Sequence, residues 1–179
     1  MNIEETKLQG CFVINPTVFS DDRGYFFESF NREKFKSLTN VDTLFVQDNE
    51  SMSAYGTIRG LHAQKEPYAQ AKLVRVTKGI VLDVAVDFRP NSPTYQQYIT
   101  QILSEENKKQ LFVPRGFLHG FAVLSEIAIF NYKCDNYYNK SAEFAVRHDD
   151  PQLNINWQIP LDDQILSERD RNASFIQDI

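Results

Sequence analysis

Apolar and polar residues alternate with a period of two over much of this chain, which is the strand period. Across 71–77 (Ala-Lys-Leu-Val-Arg-Val-Thr) the alternation sets Lys72, Val74 and Val76 on one face and Leu73, Arg75 and Thr77 on the other. Lys78-Gly79 is a turn signal, and the run from Ile80 to Asp87 is rich in β-branched residues, with Val81, Asp83 and Ala85 sharing a face. Residues 128–134 read as a further strand with Ala128, Phe130, Tyr132 and Cys134 on one side. Gln110–Pro114 and Gly120–Leu124 read as two short strands around a turn. Helical pattern is scarce: Arg32–Leu38, with Asn31 as its N-cap, and a turn or two between Ser167 and Ile176. Many short strands separated by close-spaced turns predict a β-sandwich or barrel. A small barrel encloses a cavity, so polar residues that point inward from its strands meet a ligand.

Composition narrows this picture. At 179 residues the chain fits one domain, and a domain of that size buries roughly 70% of its unfolded surface without staples. The formal net charge of −5 disfavours non-specific binding to nucleic acid, so any phosphate must be held by individually placed Arg and Lys. Two cysteines, Cys11 and Cys134, fit a reducing compartment better than a disulfide framework. Met1-Asn2-Ile3-Glu4-Glu5 lacks an apolar signal region, and no apolar run approaches the ~20 residues of a membrane helix. The expectation is a cytoplasmic protein with no membrane and no nucleic-acid partner.

The chemistry-bearing residues stand out against this β pattern. His62 lies in Arg59-Gly60-Leu61-His62; in a regular strand it shares a side with Ile58 and Gly60, and the glycine lets another group come close. A lone histidine on an apolar face is also a common satisfied core residue. His119 closes Pro114-Arg115-Gly116-Phe117-Leu118, where its bland role is to cap a turn. His148, beside Asp149 and Asp150, reads as an ordinary surface or packing residue. Lys72 in the Val74/Val76 row either snorkels to a rim or is placed for function, since a buried ammonium without a partner is costly. Tyr132 in the Phe130/Cys134 row is core-like with one polar handle. Asp83 on an apolar face needs a donor, for which a histidine is suited.

Several reaction classes lack their signatures. There is no His-x-His element, no Gly-x-Ser-x-Gly elbow, no P-loop and no Gly-x-Gly-x-x-Gly, so metal, serine-nucleophile, ATP and nicotinamide chemistry are unsignalled. Acid/base chemistry beside a carbonyl needs only three groups. A histidine sharpened by a carboxylate serves as base, a cation or donor stabilises the enolate oxygen, and an acid on the far face returns the proton. His62, Lys72 and Tyr132 supply those types.

At these residues the chain closely resembles the dTDP-4-dehydrorhamnose 3,5-epimerases. The likeness runs from about Phe12 to Asp170. It includes Phe-Ser-Asp-Asp-Arg-Gly-Tyr-Phe-Phe-Glu (19–28), Gln47-Asp48-Asn49, Ile58–His62, Gln70–Val76 and Asp83–Asp87. It continues through Val113–Phe121, Tyr132-Lys133-Cys134, Tyr137-Tyr138, Asp149-Asp150-Pro151 and Ile165–Asp170. The resemblance implies a cupin-type double-stranded β-helix (a jelly-roll barrel) with a few short helices, forming one epimerase domain over 1–179 that works without cofactor or metal as a homodimer. It implies a dTDP-linked 4-keto-6-deoxy sugar as substrate. It makes His62 the base and Asp170 its partner, Lys72 the enolate stabiliser and Tyr132 the acid, with His119 and Asp83 supporting the sugar pocket. For the nucleotide it implies Arg23, Gln47, Asn49, Arg59 and Arg169 around the diphosphate and deoxyribose, where the arginine fork suits phosphate oxygens. Phe19, Phe26 and Tyr138 would hold the thymine, with Glu28 at the base edge.

The chain departs from the family's usual pattern at Ala63 (commonly Tyr), at Glu50 and Met52 (commonly His and Arg), and at His148 (commonly Trp). None of these removes a proposed catalytic group; Ala63 and Met52 bear on the pocket rim and the choice of sugar. The expected activity is inversion at C3 and C5 of dTDP-4-dehydro-6-deoxy-D-glucose, in dTDP-L-rhamnose biosynthesis. The alternatives are a mono-epimerase on a related nucleotide sugar, a sugar-nucleotide-binding barrel without activity and, more distantly, a metal-dependent cupin oxygenase.

Overall fold

The computed structural model describes all residues from Met1 to Ile179. In chain order its strands are β1 (Asn2–Glu5), β2 (Phe12–Asn15), β3 (Phe19–Asp21), β4 (Gly24–Phe26), β5 (Gln47–Ala54), β6 (Ile58–Gln64), β7 (Lys72–Lys78), β8 (Ile80–Asp87), β9 (Tyr98–Ser104), β10 (Gln110–Val113), β11 (Phe117–Val123), β12 (Ile127–Cys134) and β13 (Glu143–Ala145). Two helices accompany them, α1 (Arg32–Thr39) and α2 (Glu168–Arg171). One sheet runs β1-β2-β10-β7-β12-β5 and a second β13-β6-β11-β8-β9, all pairs antiparallel, while β3 and β4 form a separate hairpin. This is the expected jelly-roll barrel.

The alternation read from the sequence decides the layers. Val74 and Val76 of β7, Leu111 and Val113 of β10 and Ala128 and Phe130 of β12 point inward from the first sheet. They meet Val81, Ala85, Leu103, Phe117, Phe121 and Val123 of the second, forming the interior. The other faces are covered as well. Leu82, Val84, Val86 and Leu118 turn outward and are buried under Leu153, Trp157, Ile159 and Ile176 of the C-terminal segment. On the first sheet, Leu73 and Phe112 are buried under Phe35 of α1. Each such large apolar side chain contributes roughly 1.5–3 kcal/mol by leaving water. With both its faces covered, β8 is buried from Val81 to Asp87.

α1 begins where its cap predicts: the Asn31 side chain accepts a hydrogen bond from Lys34 N. The expected C-terminal turn is α2, capped by Ser167, followed by a short 3₁₀ turn at Ile176–Asp178. One boundary differs. β11 begins at Phe117, three residues before the expected start, so His119 lies inside a buried strand and caps no turn. The turn itself lies at Gly116, whose φ of +80° suits glycine. No helix is long and apolar enough to cross a membrane.

Candidate active site

A bulge in β6 sets the site. His62 lies opposite His119, whereas Arg59 lies opposite Phe121, so β6 spends one residue more than β11 over this stretch. Gly60 sits at the irregularity with φ +122°, and a Cβ there would lie 2.6 Å from Gly120 Cα and 2.7 Å from the His119 carbonyl oxygen. Only glycine permits this close approach. The bulge corrects the simple alternation. His62 does not share a side with Ile58: Ile58 and Leu61 turn together into the layer beneath the C-terminal segment. Arg59 and His62 instead both face the barrel interior.

Inside the barrel His62 meets Lys72 from β7, Tyr132 from β12 and His119 from β11 around one cleft. His62 Nε2 is 2.5 Å from Asp170 Oδ1, a short charge-assisted contact, which leaves its other ring nitrogen to the cleft. Asp170 is buried. Burial alone would raise its pKa, but the hydrogen bond with His62 and the charge of Arg169 hold the carboxyl below its ordinary value. It therefore remains an anion at neutral pH and orients the imidazole.

A second pair stands beside the first. Asp83, fully buried, places both carboxylate oxygens 3.0 Å from His119 Nε2, and the His119 ring stacks near Phe130. The donor that Asp83 required is thus a histidine. Desolvation pushes the Lys72 ammonium pKa down, with Cys134, Asp83 and Glu143 opposing it. Lys72 Nζ lies 5.8 Å from the centre of the Tyr132 ring. Desolvation raises the Tyr132 phenol pKa, so it keeps its proton at neutral pH. A base with a fixed carboxylate, a desolvated cation and a protonated phenol therefore line one cavity.

The mouth of the cleft is polar. Gln47 Nε2 donates to Asn49 Oδ1 at 3.1 Å, and Tyr138 N donates to Gln47 Oε1 at 3.0 Å. Glu143 accepts hydrogen bonds from the Tyr138 hydroxyl at 2.8 Å and from Arg169 at 2.7 Å. Burial opposes ionisation of Glu143, yet Arg169 and Tyr138 hold its pKa below the ordinary value. Arg59 donates to Ser53 Oγ at 3.0 Å from the inner wall. Nowhere in the chain do three His, Cys, Asp or Glu side chains converge in an arrangement that could hold a metal ion. The chemistry that this donor set offers is proton transfer beside a polarised oxygen.

The family model for dTDP-4-dehydrorhamnose 3,5-epimerase matches residues 5–178. The chain belongs to the dTDP-4-dehydrorhamnose 3,5-epimerase family. It is 48% identical to the dTDP-4-dehydrorhamnose 3,5-epimerase of Pseudomonas aeruginosa over 99% of this chain and 97% of that protein. The crystal structure of the Elizabethkingia anophelis enzyme of the same name superposes with a TM-score of 0.96 at 54% identity, covering 99% of this chain and 97% of that one. A Legionella pneumophila dTDP-6-deoxy-D-glucose-3,5-epimerase, solved in complex with dTDP-4-keto-L-rhamnose, gives 0.94 at 44% identity, over 98% and 93% of the two chains.

Within this epimerase fold the expected residues divide into two groups. His62, Lys72, Tyr132, His119, Gln47, Asn49, Arg59 and Tyr138 line the cleft and its inner extension. Asp170 and Asp83 stand directly behind them, and Arg169 reaches the mouth through its pair with Glu143. Phe19, Arg23, Phe26 and Glu28 are not brought there. The first three belong to the β3–β4 hairpin, which surrounds a separate hollow. Phe19 and Phe26 are 64% and 70% exposed, and Arg23 pairs only with Asp21. Glu28 pairs with Lys34 and Asn31 near α1. His148 is buried against Trp157, with Nε2 3.1 Å from Gln164 Oε1, so it packs and is not on the surface.

The sequence reading overlooked Glu143 and Gln64, both of which line the cleft. Glu143 carried a signal: it is a lone charge inside the apolar run Ala142-Glu143-Phe144-Ala145-Val146. Gln64 carried none, because its role depends on Tyr68 O and Asn139 N, which folding brings to its side chain.

Proposed function

We propose that this chain, acting as one domain over residues 1–179, inverts C3 and C5 of dTDP-4-dehydro-6-deoxy-D-glucose to give dTDP-4-dehydro-L-rhamnose. The observation that carries the reading is the His62–Asp170 pair facing a cavity that also holds Lys72 and Tyr132. The C–H bonds flanking the C4 ketone are weak acids. His62 takes a proton from one of these carbons, and Asp170 stabilises the imidazolium that forms. Electron density moves to the C4 oxygen, where Lys72 meets the developing enolate charge. Tyr132 gives its hydroxyl proton to the opposite face of the carbon, and the configuration inverts. Solvent then reprotonates the phenolate and deprotonates His62. The sequence repeats at the second carbon, and no redox step or external group is needed.

The nucleotide half of the substrate would lie across Gln47, Asn49, Arg59, Tyr138 and Arg169. In this reading the working form is a homodimer in the cytoplasm, and the β3–β4 hairpin of one protomer completes the mouth of the other. Two features support that. The hairpin exposes Phe19, Phe26 and Arg23 without any strand partner in the rest of its own chain. In addition β5, which carries Gln47 and Asn49, pairs only with β12 and leaves its other edge open.

The test is proton NMR of dTDP-4-dehydro-6-deoxy-D-glucose with the purified protein in D2O. Deuterium entering at both C3 and C5, with rhamnose-series product trapped by a reductase, is the expected result. Exchange at one carbon only would reassign the protein as a mono-epimerase, and absence of exchange would refute the activity.

A further inference from the structure

Asp170 owes its place beside His62 to a segment that cannot hold itself. α2 has four residues, one turn, too short to be stable on its own. It hangs between two anchors. Upstream, Ile165 pairs with the start of β6: Ile165 N donates to Gly56 O at 2.9 Å and Ile58 N to Ile165 O at 3.0 Å. Downstream, Arg147 N donates to Ser174 O at 3.0 Å, the one backbone bond of that bridge. The rest of the downstream anchor is made by side chains: Ile176 is buried in the layer over β8, the Arg147 guanidinium lies 4.8 Å from the centre of the Phe175 ring, and a buried carboxylate takes a backbone donor. Ile176 N donates to Asp150 Oδ2 at 2.7 Å.

Asp150 has no part in the proton transfers above, yet it is a buried carboxylate, 1% exposed. Its other oxygen, Oδ1, accepts from Gln152 N at 2.8 Å and Leu153 N at 3.3 Å. No cation accompanies it; three backbone N–H groups share the charge. A buried carboxylate is costly unless its oxygens are satisfied, so the carboxylate and the three donors fix one another. The turn at 150–153 is thereby locked to the end of the strap that carries Asp170. The strap is also tied by Leu166, packed against the same apolar layer as Ile176, by the Arg169–Glu143 pair at the mouth and by the His62–Asp170 contact itself.

We propose that Asp150 is a positioning residue for the catalytic base: it fixes the downstream end of the strap and so holds Asp170 in line with His62. This rests on the reading of His62 and Asp170 as the base and its partner. Asn at position 150 has nearly the same shape but one acceptor oxygen. Its NH2 must face either Ile176 N–H or the 152–153 amides, so one side of the lock is lost. A strap free to shift by an ångström costs on the order of 10²-fold in rate when it carries a group of the catalytic constellation.

The experiment is a double-mutant cycle on turnover at saturating substrate, with Asp150→Asn, Asp170→Asn and the double variant. Melting temperature and dTDP affinity are measured on each. Asp150→Asn is expected to lower kcat by about tenfold or more while KM and dTDP affinity stay within about twofold, since the nucleotide contacts lie elsewhere. In the Asp170→Asn background the same change should alter kcat by less than about twofold, because the group it positions is gone. A mere loss of stability would act equally in both backgrounds, and that result, or an unchanged kcat in Asp150→Asn, overturns the proposal. An Asp170→Asn variant with native kcat would refute the dyad itself, a failure distinguishable from the first. Should Asp150→Asn not fold, Ile176→Pro removes the donor at a position that opens a 3₁₀ turn, where proline is accommodated. Ile176→Ala loses similar packing and keeps the N–H; it should retain more kcat than Ile176→Pro, and equal loss in the two overturns the proposal.

Discussion

At the scale of single residues the site separates two groups by their surroundings. His62 keeps one nitrogen on a buried anion and offers the other to the cleft, whereas burial keeps the Tyr132 phenol protonated. The base and acid roles proposed for them rest on those environments rather than on residue type alone. His62→Ala should abolish turnover while dTDP still binds, because none of the mouth residues hydrogen-bonds the imidazole, whose one partner is Asp170; calorimetric titration with dTDP beside a turnover assay decides it. Tyr132→Phe removes only the hydroxyl. Proton removal by His62 persists, but the proton must then return from solvent or from the face it left. Deuterium exchange at carbon should therefore survive better than formation of inverted product, and equal loss of both would exclude the acid role. The gathering of His62, Lys72 and Tyr132 in one cleft was largely legible in the sequence. Lys72 and Tyr132 are polar residues set in apolar rows, and His62 follows Gly60 by two positions. Asp170 was not legible from spacing, since 108 positions separate it from His62. Only the family resemblance pointed to it.

At the scale of elements, period-two alternation predicted β7, β8 and β12 nearly to the residue, because each places one row into the barrel interior. Where alternation failed, a glycine was responsible. Gly60 inserts the extra residue that turns Arg59 and His62 to the same side, and no count of apolar positions records such a slip. The contact is tight enough to predict its loss. In Gly60→Ala the new Cβ meets backbone, at 2.6 Å from Gly120 Cα and 2.7 Å from the His119 carbonyl oxygen, and φ +122° is unfavourable for any L side chain. Backbone on both sides leaves little room to yield. The variant should lose about 2 kcal/mol or more of stability by chemical denaturation. Its kcat should fall further than its dTDP affinity, since the bulge aims His62. A variant with native stability would show that the two strands separate easily and that the bulge is not enforced here. The start of β11 was misread for a related reason: Pro114 and Gly116 gave a strong turn signal that concealed its beginning at Phe117.

At the scale of the whole molecule, one stretch read correctly as a family motif does not reach the site of its own chain. The segment 19–28 carries Phe19, Arg23, Phe26 and Glu28, and its hairpin is held by three residue pairs and no third strand. A two-stranded hairpin with exposed aromatic rings is marginal in water and gains by being covered. The Arg23–Asp21 pair is exposed to solvent, so it is weak and leaves the Arg23 guanidinium free to meet another anion. The family resemblance implies ligand contacts for these residues but does not say from which copy they would act. In the dimer proposed above, a His62→Ala chain still lends an intact hairpin, and an Arg23→Ala chain still owns an intact barrel. Each homodimer should be weakly active or inactive. A heterodimer of the two then holds one site that lacks both residues and one that is native. Unfolding and refolding the two variants together should restore up to about a quarter of wild-type activity, since random pairing gives half heterodimers with one working site each. Recovery that appears only after subunit exchange would establish that the hairpin acts across the dimer. A mixture no more active than its parts would return the hairpin to its own barrel, and a monomer by sedimentation velocity at assay concentration would remove the dimer altogether.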